Sequence, residues 1–375
     1  MNQEKHHIFI IAGETSGDMH GAELVKSIKE KRNEINISGI GGELLKNSGV
    51  ELLYNYNEVN FIGFSSIIKN YSNIKNILFH SIEYVGKINP DIVILIDFPG
   101  FNLRFANEIR KFYKGKIIYY ISPQVWAWHK GRVKKMKQII DRMLVILPFE
   151  VDFYKNEGIN AEYVGHPLIK KIDGFLSENK KVKYDKFVLT LLPGTRKEEI
   201  IKIFPILSET ALRFKNEFDI EVNVMHPLNF DLNIYSRNNI IPDYNFVPNS
   251  GDNIYKTILN SDLVITKFGT STLECALLET PFISVYKANY FNYFIAKTLS
   301  DIKYVSLPNI LLQKEIVKEY LQNNMTVANL LKEGKKILFE NDYKNNMINN
   351  FKLVKDVFLN AHIARSAEEI IIGEL

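Results

Sequence analysis

The stretch FVLTLLPGTRKEEI, Phe187–Ile200, carries the pattern that decides the fold. Its first part is a mostly apolar run, typical of a buried strand and too short to span a membrane. Pro193-Gly194 predicts a turn, and Thr195 stands at capping-box spacing from Glu198, so we expect a helix to begin just after Thr195. A strand that feeds a helix through a glycine turn presents free backbone N–H groups and the positive end of a helix dipole.

Arg196 lies in this turn, and its guanidinium suits a pair of phosphate oxygens. The stretch is therefore consistent with a diphosphate site. It is equally consistent with an ordinary strand-to-helix turn that carries a solvated arginine.

Length and composition narrow the class of protein. The chain has 375 residues, 46% of them hydrophobic and 24% charged, which predicts two globular α/β domains. A single cysteine excludes internal disulfides, and a net charge of +4 is too small to favour nucleic acid but suits an anionic substrate or membrane surface. Met1–His7 is polar and no apolar run reaches about 18 residues, so we expect neither a signal peptide nor a spanning helix.

Two motifs of the first half follow predicted strands. GETSGD, residues 13–18, comes after Ile8–Ala12 and precedes a helix from about Met19, with Ser16 as a candidate N-cap. Its glycines permit close approach to a ligand, although the turn can also be ligand-free, and its spacing is not the dinucleotide fingerprint. Asp97 follows the strand Asp91–Ile96 and can either accept a proton from a substrate hydroxyl or cap the next helix.

Three further features of the first half each allow two interpretations. Both tryptophans fall in Ser122–His129, where they can stack on a sugar or cover the domain edge. The basic run Lys130–Arg142 is a solvated face or a contact for anionic head groups. Val59–Leu78 combines aromatic, aliphatic and Lys residues, and pattern alone favours a core helix over a membrane anchor. His166 is more typical of a structural turn than of a catalyst.

The second half repeats the strand–turn–helix pattern. A Lys-rich linker is predicted at Lys170–Lys186. The strand Leu263–Thr266 leads to a Gly269 turn with Thr270 or Ser271 as cap, and Glu274 can accept hydrogen bonds from a ribose diol. A helix is expected at about Lys314–Leu321, and Met347–Leu375 is amphipathic. The sequence offers no metal-ligand cluster. The residues thus describe two Rossmann-like halves with helix N-termini facing a common cleft, one half for a nucleotide diphosphate and the other for a lipid-bearing sugar.

Seven motifs, in order along nearly the whole chain, resemble the lipid-A-disaccharide synthase family. They are AGETSGD at 12–18, ILIDFPGFN at 94–102, SPQVWAW at 122–128, GHPL at 165–168, LPGTRKEEI at 192–200, GTSTLE at 269–274 and SLPNILL at 306–312.

The resemblance implies an α/β fold of two Rossmann-like domains facing a cleft, the GT-B arrangement, with a C-terminal helix that returns to the first domain. It implies residues 1–169 as the acceptor and membrane domain, 170–345 as the UDP-sugar domain and 346–375 as a helical tail packing on the first domain.

The implied enzyme joins UDP-2,3-diacylglucosamine to 2,3-diacylglucosamine 1-phosphate with inversion, in lipid A biosynthesis, without a cofactor or metal. It would act in the cytoplasm at the inner membrane, would not bind nucleic acid, and could form a homodimer. Another GT-B enzyme, a lipid-linked peptidoglycan transferase or a UDP-sugar 2-epimerase, is the alternative.

The motifs also imply roles for individual residues. Asp97 matches the proposed general base. The residues implied for UDP and phosphate are Thr195, Arg196, Gly269, Thr270, Ser271, Thr272, Glu274, Asn309 and Gln322. Those implied for the acceptor are Gly13, Glu14, Ser16, Gly17, Asp18, Asn102, Gln124, Trp126 and His166. The implied membrane element, for which the resemblance reverses the interpretation above, includes Phe61, Ile62, Phe64, Ile67 and Ile68. Glu319 matches a further family position, with a role in the cleft.

The chain departs from the family pattern at four places. Lys267 and Phe268 precede Gly269 where small residues are expected. Leu312-Gln313 replaces a small residue and a glycine, Lys318 replaces a proline, and Gly100 replaces a second aspartate of some members. The first departure changes the loop expected to hold the nucleotide.

Overall fold

The computed structural model describes residues 6–56, 71–126, 133–236, 240–287 and 303–375. The five implied membrane residues, Phe61, Ile62, Phe64, Ile67 and Ile68, lie outside these ranges. The chain divides into two compact units, Met1–Pro167 with Ala361–Leu375, and Leu168–Asn360. Within the ranges given, no helix has the length and apolar character needed to cross a membrane.

The described part of the first unit is built on a seven-stranded parallel sheet in the order β3-β2-β1-β4-β5-β6-β7. Its strands are β1 His7–Ala12, β2 Asn36–Gly41, β3 Glu51–Asn55, β4 Ile92–Ile96, β5 Lys116–Tyr120, β6 Arg142–Val145 and β7 Ala161–Tyr163. Its helices, before the chain leaves the unit, are α1 Thr15–Lys31, α2 Glu43–Asn47, α3 Tyr71–Ile88, α4 Pro99–Ile109, α5 Val133–Ile139 and α6 Phe149–Asn156.

The second unit has a six-stranded parallel sheet among its described residues, in the order β10-β9-β8-β11-β12-β13. The strands are β8 Phe187–Leu192, β9 Ile220–His226, β10 Asn245–Pro248, β11 Leu263–Lys267, β12 Phe282–Tyr286 and β13 Glu319–Leu321. The helices are α7 Pro167–Glu178, α8 Lys197–Glu217, α9 Asn253–Leu259, α10 Thr270–Leu277, α11 Leu307–Leu312, α12 Val327–Phe339 and α13 Asn341–Leu359. Short 3₁₀ turns occur at Leu232–Tyr235 and Gln322–Asn324.

Burial on both faces explains the continuous apolar strands. Every residue of β4 is 0% exposed, and β1 is buried from Ile8 to Ala12. Strands of this kind are expected where a parallel sheet is covered on both faces. The α/β fold with two parallel sheets, predicted from these runs, is confirmed.

The last helix, α14 Ala367–Ile372, belongs to the first unit. Ile370 and Ile371 join the core cluster that contains Leu24 and Ile28 of α1. Lys31 pairs with Glu368 and Glu369 at 3.2 and 3.1 Å. The predicted return of the C-terminal helix is therefore present. The segment that returns begins at 361 instead of 346, because α13 packs on α10, α11 and α12 within the second unit.

Three helix starts differ from the prediction. Helix α1 begins at Thr15 with Glu14 extended at the N-cap (φ −144°), so Ser16 lies inside the first turn and does not cap it. Helix α8 begins at Lys197 with Arg196 at the N-cap and no side-chain capping bond. The predicted capping box fails because Thr195 lies one residue before the N-cap, and neither Thr270 nor Ser271 caps α10, whose N-cap is Gly269.

Two segments of the second unit also differ. The first part of the predicted linker, up to Glu178, is helical and belongs to α7. Leu168, Ile172 and Phe175 recur at helical spacing and are buried, which explains this helix. The helix expected at Lys314–Leu321 is absent. Helix α11 ends where Gln313 adopts a left-handed conformation (φ +51°), and residues Glu319–Leu321 pair with β12 as strand β13.

Candidate active site

In the first unit, the turns after β1 and β4 lie against each other. The two strands are neighbours, with Ala12 opposite Ile96 at their carboxyl ends. A Cβ atom on Gly13 would come within 2.3 Å of the Phe98 ring, so only glycine fits there without a shift. Gly13 therefore acts by close packing, which places the GETSGD turn beside Asp97.

The backbone at Asp97 is held in an unusual conformation. Asp97 and Phe98 both have positive φ, +43° and +47°, which is rare for residues other than glycine and typical of functional sites. Two side chains bond the Asp97 carbonyl: Asn102 donates from Nδ2 at 2.8 Å and Tyr119 donates from its hydroxyl. Asn102 is 0% exposed, so it acts by holding the turn. The Asp97 side chain is half-buried.

The other residues of GETSGD divide into packing and exposed positions. The Asp18 carboxylate is buried and accepts backbone N–H groups of Gly42, Leu44 and Leu45 at 2.6, 3.1 and 3.1 Å. It thereby caps α2. Gly17 is also buried, while Ser16 is exposed and Glu14 half-buried.

Sequence reasoning missed the buried Glu150, at the start of α6. Its carboxylate accepts the Ser122 hydroxyl at 2.7 Å, the Trp126 indole N–H at 2.8 Å and the Leu147 backbone N–H at 3.3 Å. Burial raises the pKa of Glu150 to about 7, against the lowering effect of these donors, and the charge of nearby Asp97 adds to the rise. The only sequence signal was an acid directly after the pair Pro148-Phe149, a few residues beyond the end of β6.

The Glu150 carboxyl group holds the Ser122–Trp126 loop in place through its hydrogen bonds to Ser122 and Trp126. The Trp126 ring packs edge-on against Phe149 with centroids 5.0 Å apart, so its N–H and one ring edge are used internally. Gln124 remains exposed at the tip of the loop. His166, after β7, is 8% exposed, and burial together with the charge of His20 lowers its pKa to about 3. His166 is therefore neutral near pH 7.

In the second unit, two glycine turns lie side by side. Strands β8 and β11 are neighbours, with Leu192 opposite Thr266, so the turns that follow them share one edge of the sheet. Gly194 and Gly269 both have positive φ, +116° and +143°. Each turn leads to a helix whose first N–H groups have no acceptor within the helix. The structure thus brings together the two predicted anion-binding turns.

The polar residues of these turns have different surroundings. Thr195, Arg196 and Thr270 are exposed. The Ser271 hydroxyl donates to the Lys267 carbonyl at 3.1 Å, and the buried Thr272 hydroxyl donates to the Gly269 carbonyl at 2.7 Å. These two hydroxyls stabilise the turn from inside, whereas the first three residues lie on its solvent-exposed side.

Glu274 is the fifth residue of α10, one turn after its start at Thr270. It is 8% exposed, and burial raises its pKa to about 7, opposed by the positive charge of Lys171. Lys171, which the sequence did not indicate, also lies 5.4 Å from the centroid of the Tyr255 ring. Within the described part of the chain, no side chain donates a hydrogen bond to the Glu274 carboxylate.

Asn309, Glu319 and Gln322 form part of the internal structure of the unit. The Asn309 amide is fully buried, accepts from the backbone N–H groups of Ile316 and Val317, and donates to the Glu319 carboxylate at 2.8 Å. Glu319 also accepts the backbone N–H of Ser306 at 2.9 Å. Gln322 is 6% exposed with φ +51°. The side chains of Asn309 and Glu319 therefore hold the loop around α11.

Among the described residues, no group of three or more His, Cys, Asp or Glu side chains is arranged to hold a metal ion. The chain matches the family model described as lipid-A-disaccharide synthetase over residues 8–371. It is 34% identical to lipid-A-disaccharide synthase 1 of Legionella pneumophila (strain Paris), covering 98% of this chain and 97% of that protein. It is 33% identical to lipid-A-disaccharide synthase of Myxococcus xanthus, covering 88% and 87%.

Solved structures show the same fold at low identity. The UDP-GlcNAc 2-epimerase of Neisseria meningitidis bound to UDP-GlcNAc matches with a TM-score of 0.62 at 12% identity, covering 94% of this chain and 100% of that one. The calicheamicin glycosyltransferase CalG4 matches with a TM-score of 0.61 at 12% identity, covering 100% and 99%. Both similarities establish the fold class, which is GT-B, and nothing beyond it.

The buried carboxyl of Glu150 predicts a pH-dependent stability of the first unit. Its folded-state pKa, about 7, lies above its ordinary value of 4.5, so the folded state binds the proton more tightly. The stabilisation is complete below about pH 4.5 and is lost as the pH rises through 7. Between these values the free energy of unfolding should fall by on the order of 2 kcal/mol relative to Glu150→Gln, which cannot titrate.

Urea unfolding followed by tryptophan fluorescence measures this difference, since both tryptophans of the sequence fall within residues 1–167. Glu157→Gln is the control, because Glu157 is exposed at the other end of α6 and should leave the wild-type pH profile unchanged. Parallel pH profiles for wild type and Glu150→Gln would contradict the assignment.

Proposed function

The chain belongs to the lipid-A-disaccharide synthase family, and from this premise we propose how its two units divide the reaction. The enzyme joins UDP-2,3-diacylglucosamine to 2,3-diacylglucosamine 1-phosphate, giving a β-1',6-linked disaccharide 1-phosphate and UDP. The acceptor 6-hydroxyl forms a bond to the anomeric carbon, the bond from that carbon to UDP breaks, and the hydroxyl proton passes to a base. The first unit supplies the base and the second binds UDP.

Asp97 is the proposed base. Inversion requires one carboxylate on the face of the sugar opposite the leaving group, and Gly100 leaves Asp97 as the single acid of its turn. The bonds from Asn102 and Tyr119 to its carbonyl hold the turn, while the side chain stays half-buried and accessible. Preorganisation of this kind places a base at a defined position before the substrate arrives. This held, half-exposed carboxylate is the observation that carries the proposal.

The paired glycine turns of the second unit are the proposed UDP site. Arg196 suits the diphosphate through its planar guanidinium, and the N-termini of α8 and α10 favour negative charge at Thr195 and Thr270. Glu274 can accept hydrogen bonds from the ribose hydroxyls, and contact with them would favour its ionised form. We propose that Asn309 shapes this site by holding the α11 loop and that it does not contact the nucleotide.

A UDP-sugar 2-epimerase and a lipid-linked peptidoglycan transferase share the fold but are not favoured. Neither is expected to carry GETSGD, Asp97 and the apolar element at Val59–Leu78 together. Incubating the protein with both lipid substrates and detecting the disaccharide by mass spectrometry tests the function directly.

Replacing the proposed base should strongly reduce turnover and spare nucleotide binding. Asp97→Asn keeps the shape of the side chain and removes its basicity, so kcat should fall by about 10²–10⁴ while the Kd for UDP stays within about twofold. Asp91→Asn is the matched control, because Asp91 lies just before the amino end of the same strand. Near-normal kcat in Asp97→Asn would remove Asp97 from the mechanism.

We also propose that no divalent ion takes part, because cationic side chains and helix N-termini can meet the charge of the leaving UDP. Activity in excess EDTA should then equal activity with added Mg²⁺, measured as UDP release at saturating substrates. Loss of activity on chelation, with recovery on adding Mg²⁺, would overturn this part of the proposal.

Contact with the inner membrane from the cytoplasmic side, through the element around Phe61–Ile68, completes the proposal. Changing Phe61, Phe64 and Ile68 together to Ser should lower binding to vesicles containing anionic lipid by about tenfold or more, because apolar area buried in the bilayer supplies much of the affinity. Vesicle sedimentation measures the change. Leu228→Ser with Ile240→Ser, at two exposed apolar positions of the second unit, is the control.

A triple variant with unchanged vesicle binding, or one that loses its cooperative thermal unfolding, would favour the core-helix interpretation instead. The resemblance also suggests a homodimer, which sedimentation velocity tests.

A further inference from the structure

An ion pair joins the two glycine turns of the second unit. Lys267, the last residue of β11, places Nζ 3.1 Å from Oε1 of Glu199 in the first turn of α8. The other carboxylate oxygen lies 2.5 Å from the position that a Cβ atom of Gly194 would occupy. The ammonium lies 3.8 Å from the corresponding position at Gly269. The pair therefore spans both turns at the place where the helices begin.

The ion pair is mostly buried and lies beside two aromatic rings. The side chains of Lys267 and Glu199 are only 23% and 13% exposed. The ammonium lies 5.1 Å from the centroid of the Phe268 ring and 5.9 Å from that of Tyr286, and these two rings are 4.3 Å apart. Interactions between charges are stronger in such surroundings than in bulk water. The position that departs from the family pattern thus carries a well-positioned cation.

The carboxylate occupies the kind of position that a bound anion would take. Glu199 lies in the first turn of α8, where a negative charge is favoured, and it is paired with a cation. A phosphate oxygen could satisfy the same two partners, the helix N-terminus and Lys267. The geometry therefore presents Glu199 as an internal substitute for a phosphate group.

We propose that Lys267 binds the diphosphate of the nucleotide, exchanging its Glu199 partner for a phosphate oxygen. This inference rests on the proposed function and assigns a role to a residue for which the family motif gives none. Glu199 competes with the ligand for Lys267, weakens binding of UDP and re-forms the ion pair as UDP leaves. The exchange breaks no covalent bond, and the net charge of the protein does not change.

Isothermal titration of the full-length protein with UDP and with uridine tests the exchange. Lys267→Met should raise the Kd for UDP about tenfold, the scale of one charge-assisted hydrogen bond, and leave the weaker binding of uridine unchanged. Glu199→Gln should lower the Kd for UDP about threefold or more, because the competing charge is removed. In the double variant the benefit of Glu199→Gln should disappear, since no cation remains to be released.

The matched controls are Lys335→Met and Glu217→Gln, which break an exposed ion pair of 2.5 Å elsewhere in the same unit. They should leave the Kd for UDP unchanged. Lys267→Arg should retain most of the affinity. Thermal unfolding verifies that each variant is folded, and Lys267→Gln replaces Lys267→Met if the latter does not fold.

Failure of this inference is distinguishable from failure of the proposed function. Wild-type protein that binds no UDP would overturn the proposed nucleotide site and the role of Lys267 with it. If wild type binds UDP and Arg196→Met weakens that binding while Lys267→Met does not, the role of Lys267 alone is overturned. Equal effects of Glu199→Gln in the presence and absence of Lys267 would also overturn the exchange.

Discussion

Both units depend on one constraint of parallel sheets. Strands buried on both faces can carry almost no polar side chains, so polar chemistry is confined to the turns at their carboxyl ends. In the first unit this constraint places Gly13 against the ring of Phe98, the residue that follows Asp97. In the second it places the Gly194 and Gly269 turns next to each other. The functional residues are distant in sequence and adjacent in space for the same reason.

The acidic residues near these turns have the same chemical group but different surroundings, and they therefore have different roles. The Asp18 carboxylate accepts hydrogen bonds from three backbone N–H groups. The Glu150 carboxylate accepts them from two side chains and one backbone N–H group. Asp97 differs, because its backbone carbonyl takes the internal donors while its carboxylate is only half-buried. Glu199 is held by a lysine. A half-buried acid on a fixed backbone is suited to catalysis, whereas a buried acid that accepts several hydrogen bonds is suited to structural support.

The sequence was sufficient for those parts that local pattern determines. Apolar runs such as Phe187–Leu192 located strands to within a residue or two, and the glycine turns were correctly placed. Features set by tertiary contact were missed. Glu319 was assigned to a helix, because nothing local shows that residues 319–321 would pair with β12.

The hydrogen-bond partners of side chains could not be predicted from the sequence for the same reason. Glu150 bonds Ser122 and Trp126, which lie more than twenty residues earlier in the chain, and no spacing rule connects them. The motif predicts Asn309 as a UDP-binding residue, but it does not indicate that the Asn309 amide bonds Ile316, Val317 and Glu319.

The return of α14 to the first unit bears on how the polypeptide is made. Ala367, Ile370 and Ile371 complete a core whose other buried members lie between Ile8 and Leu144 in the sequence. While the ribosome is producing Leu168–Asn360, the amino-terminal unit lacks this part of its apolar interior, and domains generally fold in order of synthesis. The core of the first unit can therefore be completed only after Ala361–Leu375 has been made, and truncation before Ile370 would leave that core exposed.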